Sequence, residues 1–109
     1  MDRRRATRES MIAGRRRETE LVVISYDVED DRHRNRVHDV LIAHGTWVQY
    51  SVFECFLTQR ELVQLRGQLL ALIDVKTDSV RIYRLCGSCE RRIEVIGGEP
   101  PREAVAYIT

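Results

Sequence analysis

The chain has 109 residues with 18 basic and 17 acidic side chains, and its net charge of +1 hides an uneven layout. Residues 1–17 carry seven arginines against Asp2 and Glu9, a net of +5 that leaves −4 for residues 18–109. One domain of this length can bury roughly 65% of its unfolded surface, which excludes a multi-domain enzyme with a deep cleft between lobes. No apolar run approaches the roughly 18 residues of a membrane span. The start lacks the apolar core of a secretory signal, and three cysteines, an odd count, do not make a disulfide framework. A soluble, cytoplasmic protein in a reducing compartment, with no membrane partner, is the expectation.

Residues 1–18 read as a flexible arginine-rich arm, either an inert extension or a contact for phosphates. From Glu20 the pattern tightens. Leu21, Val22, Val23, Ile24 and Tyr26 put apolar or aromatic side chains on both faces of a strand, as in a central strand covered on both sides, and the run ends at Asp27. Asp30 or Asp31 can cap the helix that follows. Val37, Val40, Leu41 and His44 recur at helical spacing and Gly45 is placed to end it, so a helix from about Asp31 to His44 is predicted. Thr46 to Leu57 is too long for one strand and divides into a short strand, a bend near Gln49 to Ser51 and a second strand. Thr58 and Glu61 form a capping box before the amphipathic positions Leu62, Leu65, Leu69, Leu72 and Ile73. The stretch from Lys76 to Ser79 stops that helix. SVRIYRL gives a further strand, IEVI after CGSCERR a short one, and AVAYI a last segment beyond Pro100 and Pro101.

This order predicts an α+β fold, a ferredoxin-like βαββαβ sandwich with an additional C-terminal strand. Both helices would cover one sheet face. The other, carrying half of an apolar strand, needs a cover, most simply a second copy of the chain, so a homodimer through the open sheet face is expected. The domain reading is an arm at 1–18, a ferredoxin-like domain at 19–96, and a C-terminal segment at 97–109 that packs as a strand on the partner subunit.

Four carboxylates fall within Asp27, Val28, Glu29, Asp30 and Asp31. Asp30 and Asp31 suit helix capping and the helix dipole. Asp27 ends a buried strand, where a carboxylate is costly unless paired or coordinating a hard cation such as Mg²⁺. A single carboxylate does not make a two-metal site, whereas two copies of Asp27 near a dimer axis would share one ion. Arg32 and Arg36 share a helix face and Arg34 points elsewhere; they are either a solvated face or receptors for phosphate oxygens. His33 reads as a surface residue and His38 and His44 as packing residues. Ser51 has no activating histidine beside it in sequence. Cys86-Gly87-Ser88-Cys89 is a lone CxxC: zinc needs about four ligands and only Cys55 adds a sulfur, which leaves a reduced turn or, secondarily, a redox pair.

YDVEDDRHRNRVHDVLIAHG, then VQYSVFEC, then SVRIYRLCGSC resemble the CRISPR-associated protein 2 family over about Leu21 to Ile96. The resemblance implies a homodimer in which the first strands end near the dimer axis and each Asp27 is offered to one Mg²⁺ ion. It implies a metal-dependent endonuclease of single-stranded RNA or double-stranded DNA, with Asp27, Ser51 and Phe53 at the catalytic site and Tyr26, Arg34 and Arg36 on the nucleic acid, where Arg32 would join them by its helix spacing from Arg36. The alternative it implies is a non-catalytic adaptor of spacer acquisition in antiviral defence, holding duplex DNA between copies of the CRISPR-associated protein 1 integrase. Trp47 departs from the family pattern, standing where many relatives carry a basic residue.

Overall fold

The computed structural model describes residues 18–103. The β-branched run forms strand β1 (Glu20–Asp27), and the chain continues through α1 (Asp31–Ile42), β2 (Thr46–Gln49), β3 (Val52–Leu57), α2 (Gln59–Leu72), β4 (Ser79–Leu85) and the single turn α3 (Gly87–Glu90). The four strands make one antiparallel sheet in the order β2-β3-β1-β4, the ferredoxin-like arrangement predicted from the element order. β1 is therefore central, with Ile24 opposite Phe53 on one side and Ile82 on the other.

Alternation along the strands sorts the side chains onto two faces. Val22, Ile24 and Tyr26 of β1 join Phe53, Cys55 and Leu57 of β3 in a core closed by Val37 and Leu41 of α1 and Leu62, Leu65 and Leu69 of α2. Each such large apolar side chain contributes about 1.5–3 kcal/mol by leaving water. On the opposite face, Leu21 and Phe56 are also buried, at the end where α3 packs against β1 and β4. Burial then fades along β1. Val23 and Ser25 are half-buried, Asp27 is exposed, and Tyr83, opposite Val23, is 51% exposed.

Local chemistry explains the element ends. Thr58 caps α2 by accepting from the Glu61 N–H at 3.2 Å, while the Glu61 carboxylate accepts from the Thr58 N–H at 2.9 Å. α1 stops at Ile42, two residues before the predicted His44, because the chain tightens there. His44 and Gly45 both donate to the Leu41 carbonyl at 3.0 Å, and Nδ1 of His44 donates to the Val40 carbonyl at 2.8 Å. The bend between β2 and β3 falls at Tyr50, whose φ is 44°.

One reading needs correction. Ile93–Ile96 form no strand: β4 is the sheet edge, and within the chain α3 carries the backbone away from it before IEVI can pair. Residues 97–103 carry no strand within the chain, with Gly97 and Gly98 at φ of 79° and 92°, and the AVAYI segment read as the additional C-terminal strand lies outside the described residues. Residues 104–109 and the arm at 1–17 lie outside the described residues.

Two glycines test the packing in opposite directions. A methyl group on Gly45 would collide with Sγ of Cys55 and stand 2.6 Å from the Glu54 carbonyl oxygen, whereas on Gly67, exposed in α2, it would meet nothing within 4 Å. Gly45→Ala is expected to destabilise by about 1–3 kcal/mol, and Gly67→Ala to stabilise by roughly 0.5–1 kcal/mol through helix propensity. Urea unfolding of the two variants checks both signs.

Candidate metal and nucleic-acid site

The C-terminal end of β1 is assembled by short-range contacts. Asp27 pairs with Ser79 at the start of β4, and the N–H of Tyr26 donates to the Ser51 carbonyl at 3.1 Å, so the β2–β3 turn is tied to the strand one residue before Asp27. Val28 is buried and anchors the connection to α1. Asp30 caps that helix, accepting from the His33 N–H at 3.0 Å, and this backbone hydrogen bond holds its carboxyl below the ordinary carboxylate range. Arg34 turns back on the same loop, donating to the Val28 carbonyl at 2.9 Å and pairing with Asp31.

Asp78 closes this end of the sheet. It is the buried charged residue of the described core, 8% exposed, and its carboxylate receives the N–H of Glu29 at 3.0 Å, the N–H of Asp74 at 2.9 Å and the Thr77 hydroxyl at 3.1 Å. Those hydrogen bonds, Glu29 and Asp74 first, lower its pKa. One side chain thus holds the β1–α1 connection to the α2–β4 loop. The sequence carried no periodic signal for it, since its partners lie 49 and four residues away.

The predicted site residues divide into two groups. Asp27 directly follows the buried Tyr26 at the end of β1, but its own carboxylate is exposed and makes no hydrogen bond or ion pair with a described residue. Arg32 and Arg36 are exposed on α1, and their guanidinium groups make no hydrogen bond or close ion pair with a described residue. Ser51 is half-buried in the turn beside Tyr26. Tyr26 and Phe53, by contrast, point to the helix side. Phe53 is fully buried, so contact with a substrate is replaced by support of the Tyr26 ring, which stacks on it at 6.3 Å.

Tyr26 is 6% exposed; its hydroxyl lies 3.2 Å from Nδ1 of His38, and burial raises its pKa against the opposing charge of Arg34. A direct nucleic-acid contact by the Tyr26 ring is therefore closed off by the core. His38 completes the cluster, edge-on to Phe53 at 5.2 Å and to Trp47 at 5.1 Å, and the Trp47 indole N–H donates to the Tyr50 carbonyl at 2.7 Å. Trp47 thus braces the β2–β3 hairpin. On the other face, the ladder sets the exposed Arg81 opposite Ser25, two residues along β4 from the partner of Asp27, a cation that sequence reading did not single out.

As a donor set for a hard cation, the unengaged oxygens of Asp27 fit in kind but not in number. The described residues hold no group of three His, Cys, Asp or Glu side chains able to bind a metal. One chain supplies one carboxylate, and two are available where a second copy presents its own. Among the described residues no helix is long and apolar enough to cross a membrane.

Residues 20–93 match the family model for CRISPR associated protein Cas2. A CRISPR-associated endoribonuclease Cas2 of Chloroflexus aurantiacus is 46% identical over 82 residues, which covers 74% of this chain and 88% of the relative. The crystal structure of Streptococcus pyogenes Cas2 superposes with a TM-score of 0.62 at 36% identity, covering 71% of this chain and 99% of that one. A chain of a partial Cas6-RT-Cas1–Cas2 complex superposes with a TM-score of 0.60 at 28% identity, covering 74% and 94%.

Because its pKa is depressed in the fold, the stability that ionised Asp78 contributes is fully present above the ordinary carboxylate value, about 3.9, and is lost as pH falls through the lower folded value. Asp78→Asn places an amide NH₂ where the carboxylate accepted. A fall of several degrees in the thermal midpoint at neutral pH is expected, with a flatter acid limb below about pH 4, measured by thermal unfolding across a pH series.

Proposed function

The chain belongs to the CRISPR-associated protein Cas2 family, and from that premise we propose that it is a metal-dependent endonuclease of CRISPR defence, hydrolysing phosphodiesters of RNA or DNA as a homodimer. In this reading Asp27 of each copy contributes to one shared Mg²⁺ ion. The observation that carries it is the exposed Asp27 carboxylate, unpartnered among the described residues, on the sheet face that the two long helices leave open. The homodimer is supported by the same face, where Val23, Ser25 and Val52 are only half-buried and Tyr83 is exposed.

A divalent cation at such a site supplies Lewis-acid charge to the phosphate under attack. The chain's own residues orient the nucleic acid. Arg32 and Arg36, one turn apart on the exposed side of α1, receive backbone phosphates beside Asp27. Arg34 holds the loop that carries them, through Val28 and Asp31. Phe53 and Tyr26 are positioning residues, keeping the end of β1 fixed against β3. Ser51 sets the turn through its carbonyl. The Chloroflexus relative is named an endoribonuclease, which makes single-stranded RNA the first substrate to assay.

A second reading is an adaptor that bridges duplex DNA for the CRISPR-associated protein 1 integrase without cutting it. The absence of a three-residue metal group among the described residues favours it, as does the likeness to a chain in a complex whose title names Cas1.

Asp27→Ala separates the readings. Because the carboxylate is exposed, the variant is expected to fold with stability within about ±0.5 kcal/mol of wild type while Mg²⁺-dependent cleavage by the purified protein falls to the metal-free background. Unchanged cleavage would overturn the nuclease assignment. Cleavage lost with spacer acquisition retained in cells leaves the adaptor role standing. Arg32→Ala with Arg36→Ala is expected to lower the slope of log affinity against log salt for duplex DNA by about two, as read by fluorescence anisotropy at several salt concentrations.

A further inference from the structure

The CGSC segment takes no part in the Asp27 site. We propose that Cys86 and Cys89 are a thiol–disulfide exchange site, which closes to an intramolecular disulfide on meeting a low-molecular-weight disulfide of the glutathione class. Its first support is placement. Cys86 is the extended N-cap residue of α3, with φ −69° and ψ 168°, and Cys89 is the third residue of that helical turn. Residues three apart on one turn lie on the same side, with Cβ atoms about 5–6 Å apart. A disulfide spans Cα separations of about 4.4–6.8 Å, so closure calls for a small adjustment of one turn and no refolding. Gly87 and Ser88 between them add little bulk.

The second support is access and charge. Both thiols are exposed, whereas Cys55 is buried and its thiol is pushed up to about 12, first by burial and then by the charge of Glu54. The Arg91 guanidinium reaches the same turn: a methyl group on Gly87 would stand 3.4 Å from its Nη1. Backbone N–H groups of Cys89 and Ser88 donate to the Cys86 sulfur, which favours its thiolate. The two thiols are also unlike. Hydrogen bonding from Cys89, its N–H first, lowers the pKa of Cys86, while the hydrogen bond to Cys86 and its charge raise that of Cys89. That is the division between an attacking and a resolving thiol. No third His, Cys, Asp or Glu among the described residues joins the pair, which counts against a metal as their business.

The exchange balances without a further reactant. The Cys86 thiolate attacks one sulfur of the small disulfide, making a mixed disulfide and expelling a thiolate. Cys89 gives its proton to solvent and attacks Sγ of Cys86, making the Cys86–Cys89 bond and expelling the second thiolate. Two protein thiols are oxidised by two electrons, and the small disulfide is reduced to two thiols. Because α3 packs on β1 and β4, closure fixes the turn by which the chain leaves the sheet.

The test uses the full chain in buffers of varied reduced and oxidised glutathione, trapped with acid and an alkylating agent and read by intact mass. Wild type is expected to lose two hydrogens, to carry no glutathione and to remain monomeric in covalent terms on a non-reducing gel. Cys86→Ser and Cys89→Ser are each expected to hold one glutathione under the buffer that closes wild type. Cys86 in Cys89→Ser is expected to alkylate at lower pH than Cys89 in Cys86→Ser. Wild type carrying two glutathiones, remaining fully reduced in oxidised glutathione, or linking to a second chain would overturn the site.

Discussion

The position of β1 between two antiparallel partners is the constraint on which the rest depends. With β3 on one side and β4 on the other, every backbone group from Leu21 to Ser25 sits between two ladders, and shifting the strand by one residue would exchange its two faces. Val22, Ile24 and Tyr26 would then leave the core shared with α1 and α2. The same register sends Asp27 to the opposite face, beside Ser79, and puts Tyr26 in the aromatic cluster with Phe53 and His38. Core packing thus fixes where the carboxylate stands, although the carboxylate touches none of the core.

Ladders hold a strand along its length and weaken at its end. Here the end is held by polar groups. Asp78 collects donors from Glu29 and Asp74, Ser51 takes the N–H of Tyr26, and Arg34 returns to Val28. Each contact satisfies a backbone group that would otherwise be left without a partner where strand gives way to loop, and together they orient the N-terminal turns of α1. Arg32 and Arg36 inherit their directions from that orientation. The net of +1 conceals this arrangement: Asp30 and Asp78 are engaged with the backbone and Asp31 with Arg34, while Asp27, Arg32 and Arg36 face outward.

What was legible in the sequence follows from how far each signal travels. The run from Leu21 to Tyr26, the capping box of Thr58 and Glu61, and the leucine spacing of α2 are local, and each formed as read. The turn α3 has four residues, too few for a period, and CGSC reads equally as a loop. IEVI alternates like a strand, but alternation says nothing of whether an edge is within reach. Asp78 leaves no local signal, because a buried acceptor is defined by donors that arrive from elsewhere. Asp27 was singled out on the premise of burial, and the structure leaves it exposed, so its claim to a role rests on the lack of a partner among the described residues and not on desolvation. Tyr26 adjoins Asp27 in sequence, yet side-chain alternation sends it to the other face, where it meets Phe53.

An exposed single carboxylate ties function to association in a way a complete site would not. A lone carboxylate in water holds Mg²⁺ weakly, since the ion keeps its own waters in preference to one ligand. If two copies supply one ligand each, the ion gains affinity only in the dimer, and the dimer gains stability only as the ion binds, each by the same factor. Two unneutralised Asp27 groups brought together would repel, so the proposed dimer is poised to answer both to cation concentration and to its own. A nucleic-acid strand laid across Arg32 and Arg36 of both copies adds a third linked term. On this reading the half-site on each chain is what makes assembly, metal and substrate interdependent, and that coupling serves a bridging role as readily as a cutting one.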